Sequence, residues 1–414
     1  AHSAASWLAS LVPPKIRTRI LSDPWLHIVG IGENGAEGIS GPARAALDAA
    51  DIIFGAERHL ELAAVGKRGR LWPVPFSIEP LAGRQGKPTV ALVSGDPFWH
   101  GAGSLIARRF GAGEWTAYPS PSTFSLAASR LGWPLEERGT RGPPGAPLPG
   151  RKRVPPRGVR PLVLDGAAPT VASLAGWLES NGLGASAIHV LEALGGPQER
   201  IRQCTASSFN LADIASPVAV AVEAMGAGIS RASGLPDELF EHDGQLTKRP
   251  VRALTLSALA PRPGEILWDV GAGSGSISIE FLLAAPATRA FAVEANPERA
   301  EKIRRNAASF GLENRLDVCL GRAPAALEGL PDPHVVFVGG GTSQELLEAI
   351  WGRVASDTRL VVNAVTIESE ALLADWSNRF GGSMLRIEIA MAGILGSRRG
   401  WRPSMPVVQW SARR

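Results

Sequence analysis

The strongest chemical signal in the chain is a glycine-rich segment that follows an apolar run in the carboxy-terminal half. The run Ile266–Val270 predicts a buried strand, and Gly271, Gly273 and Gly275 follow it directly. Glycine lets a ligand approach the backbone closely, and the amide groups that begin the next helix point at that ligand. A second predicted strand ends at Glu294, where a carboxylate can bind the hydroxyls of a ribose. The pattern therefore predicts a site for a nucleotide-type cofactor.

The spacing of the glycines discriminates between cofactors of this kind. It lacks the Gly-x-Gly-x-x-Gly order of dinucleotide sites, so it favours S-adenosylmethionine over NAD. Asp269 lies at the end of the first strand, and its carboxylate could instead brace the loop by accepting hydrogen bonds from loop amides. The succession of strand, glycine loop, helix and strand-end acid favours a binding role over a purely structural one.

The residues around this loop predict the elements that position it. Strands and helices alternate after the loop in the rhythm of a parallel doubly wound sheet, in which ligands lie at the carboxyl ends of the strands. The predicted strands are Leu316–Leu320, Val335–Val338 and Arg359–Val362, and the predicted helices span residues 276–285, 298–310 and 343–355.

The amino-terminal half also places glycine, carboxylate and hydroxyl groups at the ends of predicted strands. A strand that begins at Leu26 breaks into Gly30, Gly32 and Gly35. The strand 89–93 runs into Gly95-Asp96-Pro97, and Ser122 and Thr123 precede a predicted helix. Strand ends often turn on glycine, and hydroxyls often cap helices, so each feature alone is equally consistent with a structural role.

Taken in this order and spacing, these segments resemble the tetrapyrrole (corrin and porphyrin) methylases, in particular the branch that methylates carbon 5 of precorrins. The resemblance covers nearly the whole amino-terminal domain and implies two α/β lobes with S-adenosylmethionine in the cleft between them. The third loop departs from the family's Pro-Gly, because Ser120-Pro121 stands there, and Trp99-His100 follows the Gly-Asp-Pro loop. By position, the resemblance implies cofactor contacts from Gly30, Gly32, Gly95, Asp96, Ser122 and Thr123.

The carboxy-terminal half resembles the precorrin methylases that also decarboxylate a side chain, and this resemblance spans the whole domain. It implies a Rossmann-like (class I) methyltransferase fold. Arg322 stands where the family commonly has an acid that accepts from the adenine amine, so adenine recognition is expected to rest on backbone groups. The residues expected at the cofactor are Thr247, Asp269, Gly271, Ala272, Gly273, Ser274, Gly275, Glu294 and Ala323.

Length and composition bound the domain organisation. A chain of 414 residues is too long for one ordinary core, and it predicts an α/β protein of two domains. The expected divisions are an amino-terminal extension over residues 1–24, a tetrapyrrole methylase domain over 25–225, a linker over 226–236 and a Rossmann-like domain over 237–414.

The segment 138–161 has an unusual composition, with seven basic residues, seven prolines, five glycines and no acid. This composition indicates a linker. An altered reading frame would give the same composition.

Composition also limits compartment and partners. No apolar stretch is long enough to span a bilayer, and two cysteines give neither a disulfide framework nor a metal-ligand spacing. A cytoplasmic protein without a metal, and without a membrane partner, is therefore expected. The formal charge of +4 fits an acidic small molecule as well as a polyanion.

Together the two resemblances imply methylation of a precorrin at ring carbons 5 and 15, with decarboxylation of the ring C acetate, in cobalamin biosynthesis. One S-adenosylmethionine site per domain, a tetrapyrrole substrate and a homo-oligomer are expected, and Arg398, Arg399 and Arg402 are candidates to bind substrate carboxylates. One alternative is a non-catalytic amino-terminal domain that only binds a corrinoid. The other is a nucleic-acid base methyltransferase, which should carry an acid and an aromatic residue where residues 339–343 read Gly-Gly-Gly-Thr-Ser.

Overall fold

The structure is a computed structural model that describes residues 24–99, 101–135, 140–141, 162–165, 168–226, 230 and 232–414. Almost all of the predicted extension and of the basic segment 138–161, together with His100, therefore lie outside the described residues. The described residues form two compact units, an amino-terminal one built mainly from residues up to Glu223 and a carboxy-terminal one built mainly from Ala224 to Arg414.

The first lobe of the amino-terminal unit is a five-stranded parallel sheet in the order β3-β2-β4-β1-β5. Its two central strands are apolar runs buried on both faces, which is typical of parallel sheets covered by helices. Because the sheet is parallel, the carboxyl ends of β1, β2 and β4 meet at one edge. The elements are β1 (Leu26–Ile31), α1 (Gly41–Ala49), β2 (Ile52–Gly55), α2 (Glu57–Leu62), β3 (Gly69–Leu71), β4 (Thr89–Ser94), α3 (Gly103–Arg109) and β5 (Trp115–Tyr118).

A second five-stranded sheet follows, in the order β6-β7-β10-β8-β9. It is mixed, since β6 and β7 pair in parallel and the remaining pairs are antiparallel. Its elements are α4 (Thr123–Leu131), β6 (Thr140–Arg141), β7 (Leu162–Asp165), α5 (Ala168–Ser180), β8 (Ala187–Glu192), β9 (Arg200–Thr205) and β10 (Val218–Glu223).

The carboxy-terminal unit is built on a seven-stranded sheet in the order β13-β12-β11-β14-β15-β19-β16, beside which β17 and β18 form a separate two-stranded ribbon. The first five strands in this order are parallel. The elements are α6 (Arg249–Leu259), β11 (Ile266–Val270), α7 (Ser276–Ala284), β12 (Arg289–Glu294), α8 (Pro297–Ser309), β13 (Leu316–Leu320), β14 (Val335–Val338), α9 (Gln344–Arg353), β15 (Arg359–Ala364), α10 (Ile367–Phe380), β16 (Ser383–Ile387), β17 (Ala390–Leu395), β18 (Arg398–Pro403) and β19 (Val407–Arg413).

Two features of this unit differ from the sequence-based expectation. The rhythm of the sequence predicts a parallel sheet, whereas β19 pairs antiparallel with both β15 and β16. Short antiparallel connections need no helix between strands, so the alternation of helix and strand stops at this end of the chain. The unit also begins before residue 237, because Leu235 is 3% exposed and lies in its core.

Among the described residues, no helix is long and apolar enough to cross a bilayer. The same part of the chain contains no cluster of three or more His, Cys, Asp or Glu side chains that could hold a metal ion. Cys204 and Cys319 are both free thiols.

Candidate cofactor sites

The glycine loop of the carboxy-terminal unit has a backbone that requires glycine. Gly271, Gly273 and Gly275 have φ values of 70°, 61° and 75°, a region that other residues rarely adopt. A Cβ on Gly271 would lie 2.9 Å from the carbonyl oxygen of Gly340, and a Cβ on Gly275 would lie 2.8 Å from Ile303. The loop is therefore packed tightly between the end of β11 and its neighbours.

Glu294 fixes this loop from the end of the adjacent strand. Its Oε2 accepts a hydrogen bond from the Gly273 amide at 2.9 Å, and its Oε1 accepts one from the Asn296 amide at 2.9 Å. The side chain is buried, and each carboxylate oxygen can still accept from a further donor. Glu294 is thus positioned both to brace the loop and to bind hydroxyl groups.

Asp269 has a different role from loop bracing. Its Oδ2 accepts hydrogen bonds from the Ser278 amide at 3.1 Å and from the Ser278 hydroxyl at 2.6 Å, so it secures the start of α7. Burial, together with the negative charge of Glu294, raises the pKa of Asp269 to about 6. The hydrogen bonds from Ser278 lower this pKa, but their effect is smaller than that of burial. The glycine loop itself is held by Glu294.

Two buried polar atoms at this loop have no hydrogen-bond partner among the described residues. They are Oδ1 of Asp269 and the hydroxyl of Ser274, which is 2% exposed. Buried polar groups are nearly always hydrogen-bonded in folded proteins, so a pair left open beside a glycine loop fits a site that a polar ligand completes. The open polar atoms and the positive-φ glycines are therefore consistent with a polar ligand that approaches the loop backbone.

The structure brings Thr247 and Ala323 to the same edge. The carbonyl oxygen of Gln245 lies 3.2 Å from the place of a Cβ on Gly273, so the segment that contains Thr247 passes over the loop. Gly321, at the end of β13, donates to the Glu294 carbonyl at 3.0 Å, and Ala323 follows two residues later. Ala272 lies within the loop, where its amide donates to the backbone at the end of β12.

In the amino-terminal unit, three of the predicted residues come together at the end of β4. A Cβ on Gly30 would lie 1.9 Å from the carbonyl oxygen of Gly95, so the two backbones are in direct contact. Gly95 has a φ of 52°, and its Cβ would lie 3.2 Å from Cα of Ser122. These glycines are needed for close packing of the loops, whatever ligand the loops bind. Gly32 lies in the turn after β1, where its carbonyl accepts from the Gly35 amide.

A cavity of about 450 Å³ opens beside these loops. Asp96, Ser122 and Thr123 line it, whereas Gly30 and Gly32 do not. Ser122 also caps α4, since its hydroxyl accepts from the Ser125 amide at 3.1 Å. The remaining lining residues are mostly apolar or aromatic and include Trp72, Phe76, Trp99, Leu105 and Phe124.

One polar side chain of this cavity carries no motif in the sequence. His59, on α2, is 7% exposed, and its Nε2 lies 2.9 Å from the hydroxyl of Ser94 at the end of β4. Burial, with the positive charge of Arg58 adding to it, lowers the pKa of His59 to about 4. The nearest sequence signal is Gly55, the glycine that ends β2 four residues before His59.

The three arginines predicted to bind substrate lie on β18, in the two-stranded ribbon. All three are exposed, and Arg402 donates to the Ile394 carbonyl at 2.7 Å. Because side chains alternate along a strand, Arg398 and Arg402 share one face and Arg399 lies on the other. The structure therefore does not bring the three together at one point.

Comparison with known proteins gives each unit a separate match. Residues 25–210 match the family model of tetrapyrrole (corrin/porphyrin) methylases, and residues 238–414 match that of the precorrin methyltransferase domain.

Relatives match almost the whole chain. The precorrin-6Y C(5,15)-methyltransferase [decarboxylating] of Sinorhizobium sp is 48% identical over 94% of this chain and 96% of its own length. The protein of the same name from Mycobacterium tuberculosis (strain CDC 1551 / Oshkosh) is 41% identical over 93% of this chain and 98% of its own length. The crystal structure of the C-terminal domain of precorrin-6Y C5,15-methyltransferase from Rhodobacter capsulatus, 52% identical, covers 45% of this chain and 100% of that chain with a TM-score of 0.44.

The two folds and their glycine-rich strand ends define a two-domain methyltransferase that uses S-adenosylmethionine. Full-length matches of this kind distinguish it from methyltransferases that contain either domain alone. The chain belongs to the family of decarboxylating precorrin-6Y C5,15-methyltransferases.

Proposed function

We propose that the chain methylates precorrin-6Y at ring carbons 5 and 15 and decarboxylates the ring C acetate to give precorrin-8, with one S-adenosylmethionine site in each unit. The observation that carries the two-site proposal is the presence of two separate glycine-rich strand ends, one at Gly95 and one at Gly271–Gly275, each at the edge of its own parallel sheet. Ligands of parallel sheets bind at such edges.

The carboxy-terminal residues have defined roles in this proposal. The loop amides and Ser274 would hold the amino-acid end of the cofactor, Glu294 its ribose, and Thr247 and Ala323 the walls of the site. When bound, the cofactor supplies a methyl group on a positively charged sulfur. Rigid loops of this kind contribute orientation and a fixed electrostatic field, which is the main contribution that such a transfer requires of a protein.

The amino-terminal unit would hold its cofactor at the cavity, with Asp96, Ser122 and Thr123 as polar contacts and Gly30, Gly32 and Gly95 shaping the loops.

Each methylation replaces a hydrogen on a ring carbon by a methyl group and releases one proton. The decarboxylation releases carbon dioxide and takes up one proton. Arg398 and Arg402, which share one face of β18, would bind carboxylates of the tetrapyrrole, and Arg399 would do so only from the opposite face.

The experiment that tests this proposal is incubation of the purified chain with precorrin-6Y and methyl-labelled S-adenosylmethionine, followed by mass analysis of the product. The expected product has gained two labelled methyl groups and lost carbon dioxide. Gain of a single methyl group by the intact chain would favour the alternative in which the amino-terminal unit only binds the corrinoid.

We also propose that the chain forms a homo-oligomer through the ribbon of β17 and β18. Ile394 and Trp401 lie on one face of this ribbon, 73% and 76% exposed, and Met391 and Leu395 lie on the other, 63% and 70% exposed. Exposed apolar side chains of this size typically mark an interaction surface. Light scattering is expected to give a multiple of the 43.5 kDa chain mass, and Trp401→Glu is expected to lower it. A monomeric wild-type chain would refute the proposal.

A further inference from the structure

We propose that His59 and Ser94 form a positioning pair in the amino-terminal site, in which His59 fixes the Ser94 hydroxyl so that its oxygen accepts a hydrogen bond from the bound ligand. The group it recognises is an N–H or O–H donor that is neutral or positively charged. This inference rests on the proposed function, because it assumes that the cavity is a methyl-transfer site.

The direction of the hydrogen bonds follows from the contacts of the imidazole. Arg58 Nη2 lies 3.3 Å from His59 Nε2, and a guanidinium can only donate, so Nε2 must carry a lone pair. The Ser94 hydroxyl, 2.9 Å from the same nitrogen, therefore donates to it and shares its single lone pair with the longer Arg58 contact. Its proton is used inside the protein, and the oxygen lone pairs remain for a ligand.

Both residues of the pair line the cavity, His59 buried and Ser94 exposed. The Ser94 oxygen is therefore accessible to a ligand in the cavity. Arg58 is held in turn by an ion pair with Glu33 in the loop after β1. The histidine is therefore held between an anchored cation and the hydroxyl that it orients.

The other residues that line the cavity fit a ligand that donates hydrogen bonds. Asp96 is the charged side chain among the described lining residues, which include no Lys or Arg, and Trp72 and Trp99 present aromatic rings that can face a cation. A carboxylate would find no cationic side chain among these described residues. S-adenosylmethionine carries an ammonium group and ribose hydroxyls, and the tetrapyrrole carries ring N–H groups, so both candidate ligands offer the required donor.

A general-base role for His59 is the competing interpretation, and the surroundings of the ring argue against it. The charged groups near the ring are Arg58 on its own helix, Asp96 beyond β4 and Glu33 through its pair with Arg58. The nearest is a cation, and burial together with this positive charge lowers the pKa of His59, so the imidazole is neutral. The pair is thus expected to orient a ligand without taking up a proton between pH 6 and pH 9.

The test compares Ser94→Ala, His59→Phe and His59→Gln in the full chain. Glutamine can accept from both Ser94 and Arg58 and should restore the arrangement. The matched control is His27→Phe, a half-buried histidine on β1 that does not line the cavity. Equilibrium dialysis with labelled S-adenosylmethionine in a Gly271→Val background, without tetrapyrrole, reports on the amino-terminal site. Steady-state assays then give the KM for the tetrapyrrole and the methyl count of the product.

If the donor belongs to S-adenosylmethionine, Ser94→Ala and His59→Phe raise its Kd about tenfold or more, while His59→Gln and His27→Phe stay within about threefold of the parent. If it belongs to the tetrapyrrole, the same two variants raise the tetrapyrrole KM instead. Unchanged values for both ligands overturn the proposal, and so does a near-neutral pH inflection in methylation that His59→Gln abolishes. A wild-type chain that binds one cofactor or adds one methyl group contradicts the proposed function instead.

Discussion

The carboxylate of Glu294 accepts a hydrogen bond from the amide of Gly273 at 2.9 Å, so the acid that ends β12 holds the loop that ends β11. The two strands are neighbours in register, with Val270 opposite Val293. Cofactor contacts from the loop and from the acid are therefore coupled. A change at Glu294 alters the loop as well as any contact of its own.

Replacing Glu294 tests this coupling. Glu294→Ala is expected to weaken S-adenosylmethionine binding at the carboxy-terminal site by about 1 to 3 kcal/mol, because it leaves the Gly273 amide without its partner. Glu294→Gln keeps an acceptor for that amide, so it should weaken binding less. Calorimetric titration of the full chain measures both, with the exposed Glu298→Ala as the control. Equal affinity in Glu294→Ala and the parent would remove Glu294 from the cofactor site.

The carboxy-terminal strands were largely predictable from the sequence, for a physical reason. Ile266–Val270 and Val335–Val338 have the limits that their apolar runs predict, because these central strands of a helix-covered parallel sheet are buried on both faces. Leu316–Leu320 also has the predicted limits, although it is an edge strand on which only Leu316 is buried. Burial and apolar pattern do not correspond in the antiparallel strands at the end of the chain. β17 is a continuous apolar run that is mostly exposed, whereas β19 contains Gln409 and Ser411 and is mostly buried.

The pairing of His59 with Ser94 could not be read from the sequence. The two residues are 35 positions apart, and neither lies in a recognisable catalytic motif. They meet because β2 pairs with β4, with Phe54 opposite Ala91, which brings the helix after one strand to the end of the other. Strand order is set by the packing of the whole lobe, so motif and spacing alone did not reveal it.

A bulky side chain in either glycine loop should abolish one of the two methylations and leave the other intact. Gly95→Val forces a branched side chain onto a backbone with a φ of 52°, within 3.1 Å of the Pro121 carbonyl. The expected product has lost carbon dioxide and lacks one methyl group. Gly271→Val places the same bulk against Gly340 and should remove the other methylation. Mass analysis of the tetrapyrrole measures both results.

Two glycines with free space around the position of a Cβ provide the controls for these two variants. Gly83→Ala and Gly352→Ala add a Cβ that meets no atom within 4 Å, one in each half of the chain, and both should give the doubly methylated product. Loss of both methylations in a folded Gly95→Val chain would contradict independent sites. So would normal double methylation by that variant.

The buried acid Asp269 should make stability depend on pH. Its folded-state pKa of about 6 lies above the ordinary value of 3.8, so the folded chain binds this proton more tightly than the unfolded chain does. The free energy of unfolding should therefore fall as the pH rises from about 4 to above 6, by up to about 3 kcal/mol.

Asp269→Asn removes this titration and keeps an acceptor for Ser278. The variant should unfold at a higher temperature than the parent at pH 7.5, with a difference that shrinks towards pH 4, while its cofactor affinity falls because a negative charge is lost. Thermal unfolding across this pH range measures the effect, and the exposed Asp332→Asn is the control. A stability difference that does not vary with pH would show that Asp269 does not titrate in this range.

The buried pair of Arg252 and Glu280 should be the most sensitive ion pair of the carboxy-terminal unit. Arg252 is fully buried and donates to Glu280 at 2.5 Å and to the Thr247 carbonyl, so it ties the segment over the glycine loop to α7. Arg252→Met leaves the Glu280 carboxylate buried without a cation, which should cost about 3 to 5 kcal/mol in denaturant unfolding and weaken cofactor binding. Arg305→Met, which breaks an exposed pair with Glu241, should cost no more than about 1 kcal/mol. Equal costs for the two variants would mean that the buried pair does not hold the Thr247 segment in place.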